Sequence, residues 1–238
     1  MRACFSFIGV FILLLITGCN KDGLSLNRPN DTPGNIAAVA TFNLIPGSTS
    51  VVGRLGAASL YTLTGSFDFG RYAAYKNFLP GTNKLEVESF FDNKERKQLV
   101  QNISLTAGRA YSLFLYEDKE VGSLLTEDNI ILPREGYAKV RFVHMGKSLS
   151  PLSLYIGNED KPLFANIAFK GVSDFKEIST HNTGPLEFKA ASGSNTVLLT
   201  IEPQNLISRE IYSVLVIGDL ESNLPNEKLQ AKIVIHSR

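Results

Sequence analysis

From Ile36 to the end of the chain, no stretch of fifteen residues keeps an apolar period of 3.6. What recurs is the short apolar run, rich in Val, Ile, Leu, Phe and Tyr and closed by Gly, Pro, Asn or Ser about every ten residues. A helix needs its apolar residues at i, i+3, i+4 and i+7, whereas a half-buried strand needs them at alternate positions. The pattern therefore predicts an all-β chain. Its clearest strands are Val39–Ile45, Leu85–Phe91, Ala110–Tyr116, Lys139–His144, Leu152–Ile156, Val197–Ile201, Ile211–Ile217 and Ala231–Ile235. In Leu85-Glu86-Val87-Glu88 apolar and acidic residues alternate, as on a strand with one wet face. The charged stretch Asn93–Gln98 lacks an apolar stripe and reads as a hairpin tip or loop.

The chain also resembles itself at an offset of about 100 residues. Val39-Ala40-Thr41-Phe42-Asn43 lies over Val140-Arg141-Phe142-Val143-His144, and Leu85-Glu86 over Leu186-Glu187. Phe69, Tyr75 and Lys76 lie over Phe169, Phe175 and Lys176, and Tyr111-Ser112 over Tyr212-Ser213. This predicts two similar β-sandwich domains, of immunoglobulin or transthyretin-like kind, over 36–133 and 134–238. Pro133-Arg134-Glu135-Gly136 would join them.

The opening of the chain is of another kind. Arg2 precedes the apolar run Phe5–Ile16, which is shorter than the ~20 residues a membrane-spanning helix needs and of the length of a signal-peptide core. Leu15-Ile16-Thr17-Gly18-Cys19 resembles the bacterial lipobox. That resemblance implies cleavage between Gly18 and Cys19, loss of residues 1–18, and acyl chains, palmitate among them, on Cys19. Three chains at ~0.8 kcal/mol per buried methylene hold stably where one is marginal. An ordinary secretory signal and an uncleaved membrane helix are the alternatives. Asn20 is not the Asp that retains some lipoproteins in an inner membrane, and Lys21-Asp22 is similar to a surface-export signal. The expected address is the cell envelope at the outer membrane, with its face open. Residues 19–35, with Pro29, Pro33, Gly23 and Gly34, read as lipidated terminus and flexible linker.

Composition closes several doors. Losing Arg2 leaves 23 basic and 23 acidic side chains, so the basic footprint of a nucleic-acid binder is missing. Cys4 leaves with the signal and Cys19 carries lipid, so apolar burial has to hold each sandwich without a disulfide.

Ala138–His144, Leu152–Gly157 and Pro162–Gly171 resemble the opening of the bacterial family called domain of unknown function 4397. That family begins with a V-R-F-V-H/N strand. The first half has Asn43 at the His/Asn position, and Leu105–Leu115 looks like the family's later G-x-x-Y strand. The second half has Ser208 where that Gly would fall, and Gly146-Lys147-Ser148 where Pro-Asp would follow the first strand. The resemblance implies a β-sandwich lipoprotein of the Bacteroidota envelope, in tandem copies and with no assigned activity.

Reactive chemistry leaves little trace. His144, His181 and His236 lie on separate segments without ligand spacing, and His144 reads as a hydrogen-bonded structural residue. The chain lacks a G-x-S-x-G elbow, an EF-hand loop and a phosphate-binding loop. No metal, cofactor or catalytic residue is predicted. Tyr61, Tyr72, Tyr75 and Tyr155 are candidates for an aromatic platform, against the commoner role of core caps whose hydroxyls reach water. The expected function is a membrane-anchored, non-catalytic binding or adaptor module whose partner is a glycan or an envelope protein. The alternatives are an envelope enzyme acting on polysaccharide and a structural spacer.

Overall fold

The computed structural model describes residues 34–62, 65–157, 159–182, 184–190 and 196–236. Seventeen strands fill them, and no helix occurs among the described residues. In the first half, β1 (Ala37–Leu44), β4 (Tyr72–Phe78), β7 (Ala110–Glu117) and β8 (Val121–Glu127) form one sheet in the order β4-β1-β7-β8. The second sheet, β3-β2-β5-β6, uses β2 (Ser48–Leu55), β3 (Ala58–Ser59), β5 (Gly81–Phe91) and β6 (Arg96–Leu105).

The second half repeats this connectivity. β9 (Tyr137–Lys147), β12 (Gly171–Val172), β16 (Ile211–Asp219) and β17 (Gln230–Ile235) give the order β12-β9-β16-β17, with β13 (Lys176–Ser179) also paired to β9. β10 (Leu152–Ile156), β11 (Phe164–Ile167), β14 (Leu186–Ala190) and β15 (Val197–Ile201) give β11-β10-β14-β15. The expected all-β, sandwich-like architecture is what the chain forms. Arg96–Gln98, read as part of a tip, instead pairs with Glu88, Ser89 and Phe90, so the tip itself is Asp92–Glu95. β6 is an edge strand that opens on Arg96-Lys97-Gln98 and turns Gln98, Asn102 and Ser104 outward, which hides it from a search for apolar runs.

Which sheet faces which follows from parity along the strands. On β1, Ala37 and Val39 join Val51, Leu55, Leu85, Leu113 and Leu115 in a core between the two sheets of the first half. Ala40, Phe42 and Leu44 point the other way, onto Val143, Met145, Leu215 and Ile217 of the second half. On β9, Ala138, Val140 and Phe142 join Leu154, Phe188 and Val214 in the core of the second half. The four sheets thus stack with a seam at the middle, and β1, β7, β9 and β16 are buried on both faces. The pairs β1–β7 and β9–β16 are parallel, the arrangement expected of strands with no wet side.

The four central strands also run the same way. Ala38, Ala110 and Ile211, at their beginnings, meet Ile130 in one cluster, and the chain enters there, where Gly108 N–H donates to the Ile36 carbonyl (2.7 Å). Their ends, Leu44, Glu117, Lys147 and Asp219, lie at the opposite pole.

Offset-matched residues do the same work in both halves. The Asn43 amide donates to Ser48 Oγ (2.9 Å) and the Phe67 carbonyl (2.8 Å) and accepts from Ile45 N–H (3.1 Å), tying off the turn after β1. His144, its counterpart, accepts from Gly146 N–H (3.3 Å) and sits 3.4 Å from the Ser150 carbonyl. The Tyr111 hydroxyl accepts from Thr106 N–H (3.0 Å), and the Tyr212 hydroxyl accepts from Ile207 N–H (2.9 Å).

Candidate functional site

Among the described residues, polar groups gather at the centre of the seam and in a cleft at its far end. In the seam, Arg141 of β9 lies on the face shared with Val143 and Met145, among apolar side chains. Its Nη1 is 2.6 Å from Asp128 Oδ1, with side chains 2% and 0% exposed. Nε donates to Ser213 Oγ (2.7 Å) and Nη2 to Ser112 Oγ (2.6 Å), while the guanidinium lies over the Phe175 ring at 4.6 Å. Ser112 (2.6 Å) and Tyr75 (2.7 Å) both donate to Asp128 Oδ2.

His236 completes the network, 3.0 Å from the Tyr75 hydroxyl through Nδ1 and 2.6 Å from Ser213 Oγ through Nε2. Because Tyr75 gives its proton to Asp128, its oxygen accepts from Nδ1–H. Nε2 then accepts from Ser213, whose oxygen takes the Arg141 donor. Burial, and then the Arg141 charge, push the His236 pKa down to about 3, so the ring is neutral. Asp128 and His236 occupy matching places: their N–H groups donate to the carbonyls of Ala110 and Ile211, each at 2.8 Å. A single ion pair flanked by satisfied neutral donors suits holding two halves in register.

The cleft, about 360 Å³, opens at the carboxyl ends of the central strands. Pro46 and Gly47 from the turn after β1, the β5–β6 hairpin and the β16–β17 loop wall it, with Glu117, Lys147 and Asp219 between them. Gly47 is required here: its φ is +74°, and a Cβ would lie 2.6 Å from Glu227 Oε1 of the other half. Lys97 Nζ stands 3.1 Å from Glu117 Oε1 and 4.8 Å above the Phe91 ring. Burial alone would lower the Lys97 pKa, but Glu117 and Glu95 outweigh it and raise it. Lys147 Nζ is 4.0 Å from the same Glu117 oxygen and 3.7 Å from Asp219. Glu117 Oε2 is buried without a partner among the described residues. With Asp92, Glu95 and Glu227, five carboxylates line the cleft against two ammonium groups. Such a lining accepts hydrogen bonds from a hydroxylated or cationic ligand.

The four tyrosines do not share a surface. Tyr72 and Tyr75 come together in the seam, their ring centroids 6.0 and 5.9 Å from that of His236. Burial, and next the Asp128 charge, raise both hydroxyl pKa values. Tyr61 packs tilted against Phe67, ring centroids 4.4 Å apart, and donates to the Val51 carbonyl beside the first core. Tyr155 lies on the outermost sheet of the second half under the Lys189 ammonium, 4.6 Å from its ring. Gly18 and Cys19 lie outside the described residues. Among the described residues no three His, Cys, Asp or Glu side chains are grouped to hold a metal ion.

Sequence reasoning passed over Arg141, Asp128 and His236 as a set. A partial signal was present: Arg141 shares strand parity with Val143 and Met145, but Lys139 and Lys147 flank that row and make it read as a wet face. The cleft gave none, being assembled from three turns and the ends of three strands far apart in sequence.

The family described as "Domain of unknown function (DUF4397)" matches residues 37–155, half of the chain. The match spans β1 to β9 and most of β10. No curated protein matches. Among solved structures, a carbohydrate-binding module, CBMbc (family CBM26) from Eubacterium rectale Amy13K in complex with maltoheptaose, aligns over 85% of this chain and 97% of its own. The identity is 11% and the TM-score 0.26. A superposition that loose transfers neither site nor ligand.

Proposed function

The chain belongs to the DUF4397 family, and from that premise, which assigns no chemistry, we propose that it is a lipid-anchored, non-catalytic binding module of the cell envelope. In this reading Cys19 carries the acyl chains, the two halves are tandem copies of one unit, and the cleft at their junction takes the ligand. The observation that carries it is the position of that cleft. The chain enters at the Ala37 end of β1, and the cleft opens beyond Leu44, seven residue steps or about 23 Å away. A body tethered through residues 19–35 would therefore present the cleft away from the bilayer. The carboxylate lining and the unpartnered Glu117 oxygen favour a hydroxylated ligand, with an envelope glycan as the first class to try.

The test uses the mature chain with Cys19→Ala, which is expected to fold and stay soluble, on an array of envelope polysaccharides. Retention on one glycan class, lost in Glu117→Gln and in Asp219→Asn at unchanged stability, supports the reading. A hydrolytic activity that disappears in either variant would replace it with the polysaccharide-enzyme reading. Retention indifferent to both variants would move the site elsewhere.

A further inference from the structure

We infer that the pole at which the chain enters is a membrane-contact surface that seats the body on the bilayer; this rests on the reading of Cys19 as the anchor. Singly exposed apolar residues are ordinary on any protein. Here, however, Leu79, Ile131 and Ile207, at 74%, 62% and 57% exposure, are three of the four most exposed large apolar side chains among the described residues. All three lie at one pole. Leu79 follows Phe78, which pairs with Ala37 at the start of β1. Ile131 offers its carbonyl to Lys139 Nζ (2.6 Å), and Lys139 pairs with Ile211 at the start of β16. Ile207 accepts from Glu210 N–H (3.2 Å) immediately before that same strand.

The occupant follows from the chain itself. The 17 steps from Cys19 to Ile36 span at most about 60 Å whatever their path. They join the body at this pole, where Gly108 N–H meets the Ile36 carbonyl. Acyl chains on Cys19 would keep these three side chains within that distance of a lipid surface. Two arginines at this pole are already paired, Arg109 with Glu127 at 3.1 Å and Arg134 with Glu177 at 3.3 Å, while Arg209, two residues from Ile207, is exposed. Contact would thus be mainly apolar and persist on neutral lipid and at high salt, with Arg209 adding a salt-sensitive attraction on anionic lipid.

The experiment places a nitroxide on Leu79→Cys, Ile131→Cys or Ile207→Cys in the full chain, with Lys119→Cys at the opposite pole as reference. Acylated protein is reconstituted in phosphatidylcholine vesicles, with and without phosphatidylglycerol. The three labels should gain collisions with oxygen and lose them with an aqueous nickel complex, in both lipids and at high salt, while the reference stays aqueous. Serine at any of the three positions should weaken seating roughly fivefold, the value of half-burying one aliphatic side chain. Acylated protein whose three labels remain aqueous overturns the inference alone, as does the same protection without vesicles, which would mean a second copy. Mass spectrometry of the same samples reads the anchor separately: an unacylated Cys19 overturns the anchored reading and this inference with it.

Discussion

Removing Asp128 from the seam should cost more than removing it together with its partner. In Asp128→Leu, the Arg141 guanidinium keeps Ser112 and Ser213 and the Phe175 ring but loses its one counter-ion, at a position 2% exposed. In Arg141→Met, the carboxylate keeps Ser112 and Tyr75 on Oδ2 and loses the cation on Oδ1. Breaking a buried pair from either side costs about 3–5 kcal/mol, because a charge is left without compensation. Replacing both by apolar residues of similar volume removes two desolvation penalties along with one attraction. Tyr75, His236 and Ser213 still bond one another. The double variant should therefore lie within about 2 kcal/mol of wild type, with a coupling energy of several kcal/mol. Guanidinium titrations followed by far-ultraviolet circular dichroism and by tyrosine emission, in a chain without Trp, give all four corners of the cycle. Each variant should show one transition, since Asp128 belongs to the first half and Arg141 to the second. Single substitutions costing under 1 kcal/mol, or a double cost equal to the sum of the singles, would refute the reasoning.

Other outcomes follow from the same geometry. His236 is held near pKa 3, so below the ordinary histidine value of 6.5 the unfolded chain takes up a proton that the folded chain refuses. Its contribution is complete above pH 6.5 and is lost toward pH 3 at up to about 1.4 kcal/mol per pH unit, a slope that His236→Gln should remove in denaturation series against pH. Tyr111→Phe and Tyr212→Phe should each lower stability by about 1 kcal/mol, and their effects should add, because the two hydroxyls serve separate corners. Gly47→Ala meets both a left-handed backbone and Glu227, and should cost about 1–3 kcal/mol while raising hydrogen exchange at Gly47, whose N–H donates to the Asn226 carbonyl (3.0 Å).

Strand-level organisation was legible wherever one face is apolar and the next residue is not. The eight runs singled out in the sequence all fall within strands or one residue beyond, and the 101-residue offset joins Asn43 to His144 and Tyr111 to Tyr212 in shared structural roles. Edge strand β6 escaped because its polar opening, Arg96-Lys97-Gln98, resembles a loop. The tyrosines escaped for a different reason. Tyr72 and Tyr75 are three apart and should face opposite ways, but the pairing with β1 shifts register between Val39 and Thr41. That irregularity reverses the parity, and both rings enter the seam. The cleft depends on where three turns and the ends of β7, β9 and β16 converge, which no local pattern records.

Burial of β1, β7, β9 and β16 on both sides has an evolutionary corollary. Ordinary repeats can be shuffled, excised or multiplied, since each owns a finished exterior. Here, separating the halves would hand one fragment a stranded acid and the other a stranded base on an oily wall, so recombination should transmit the two only as a couple.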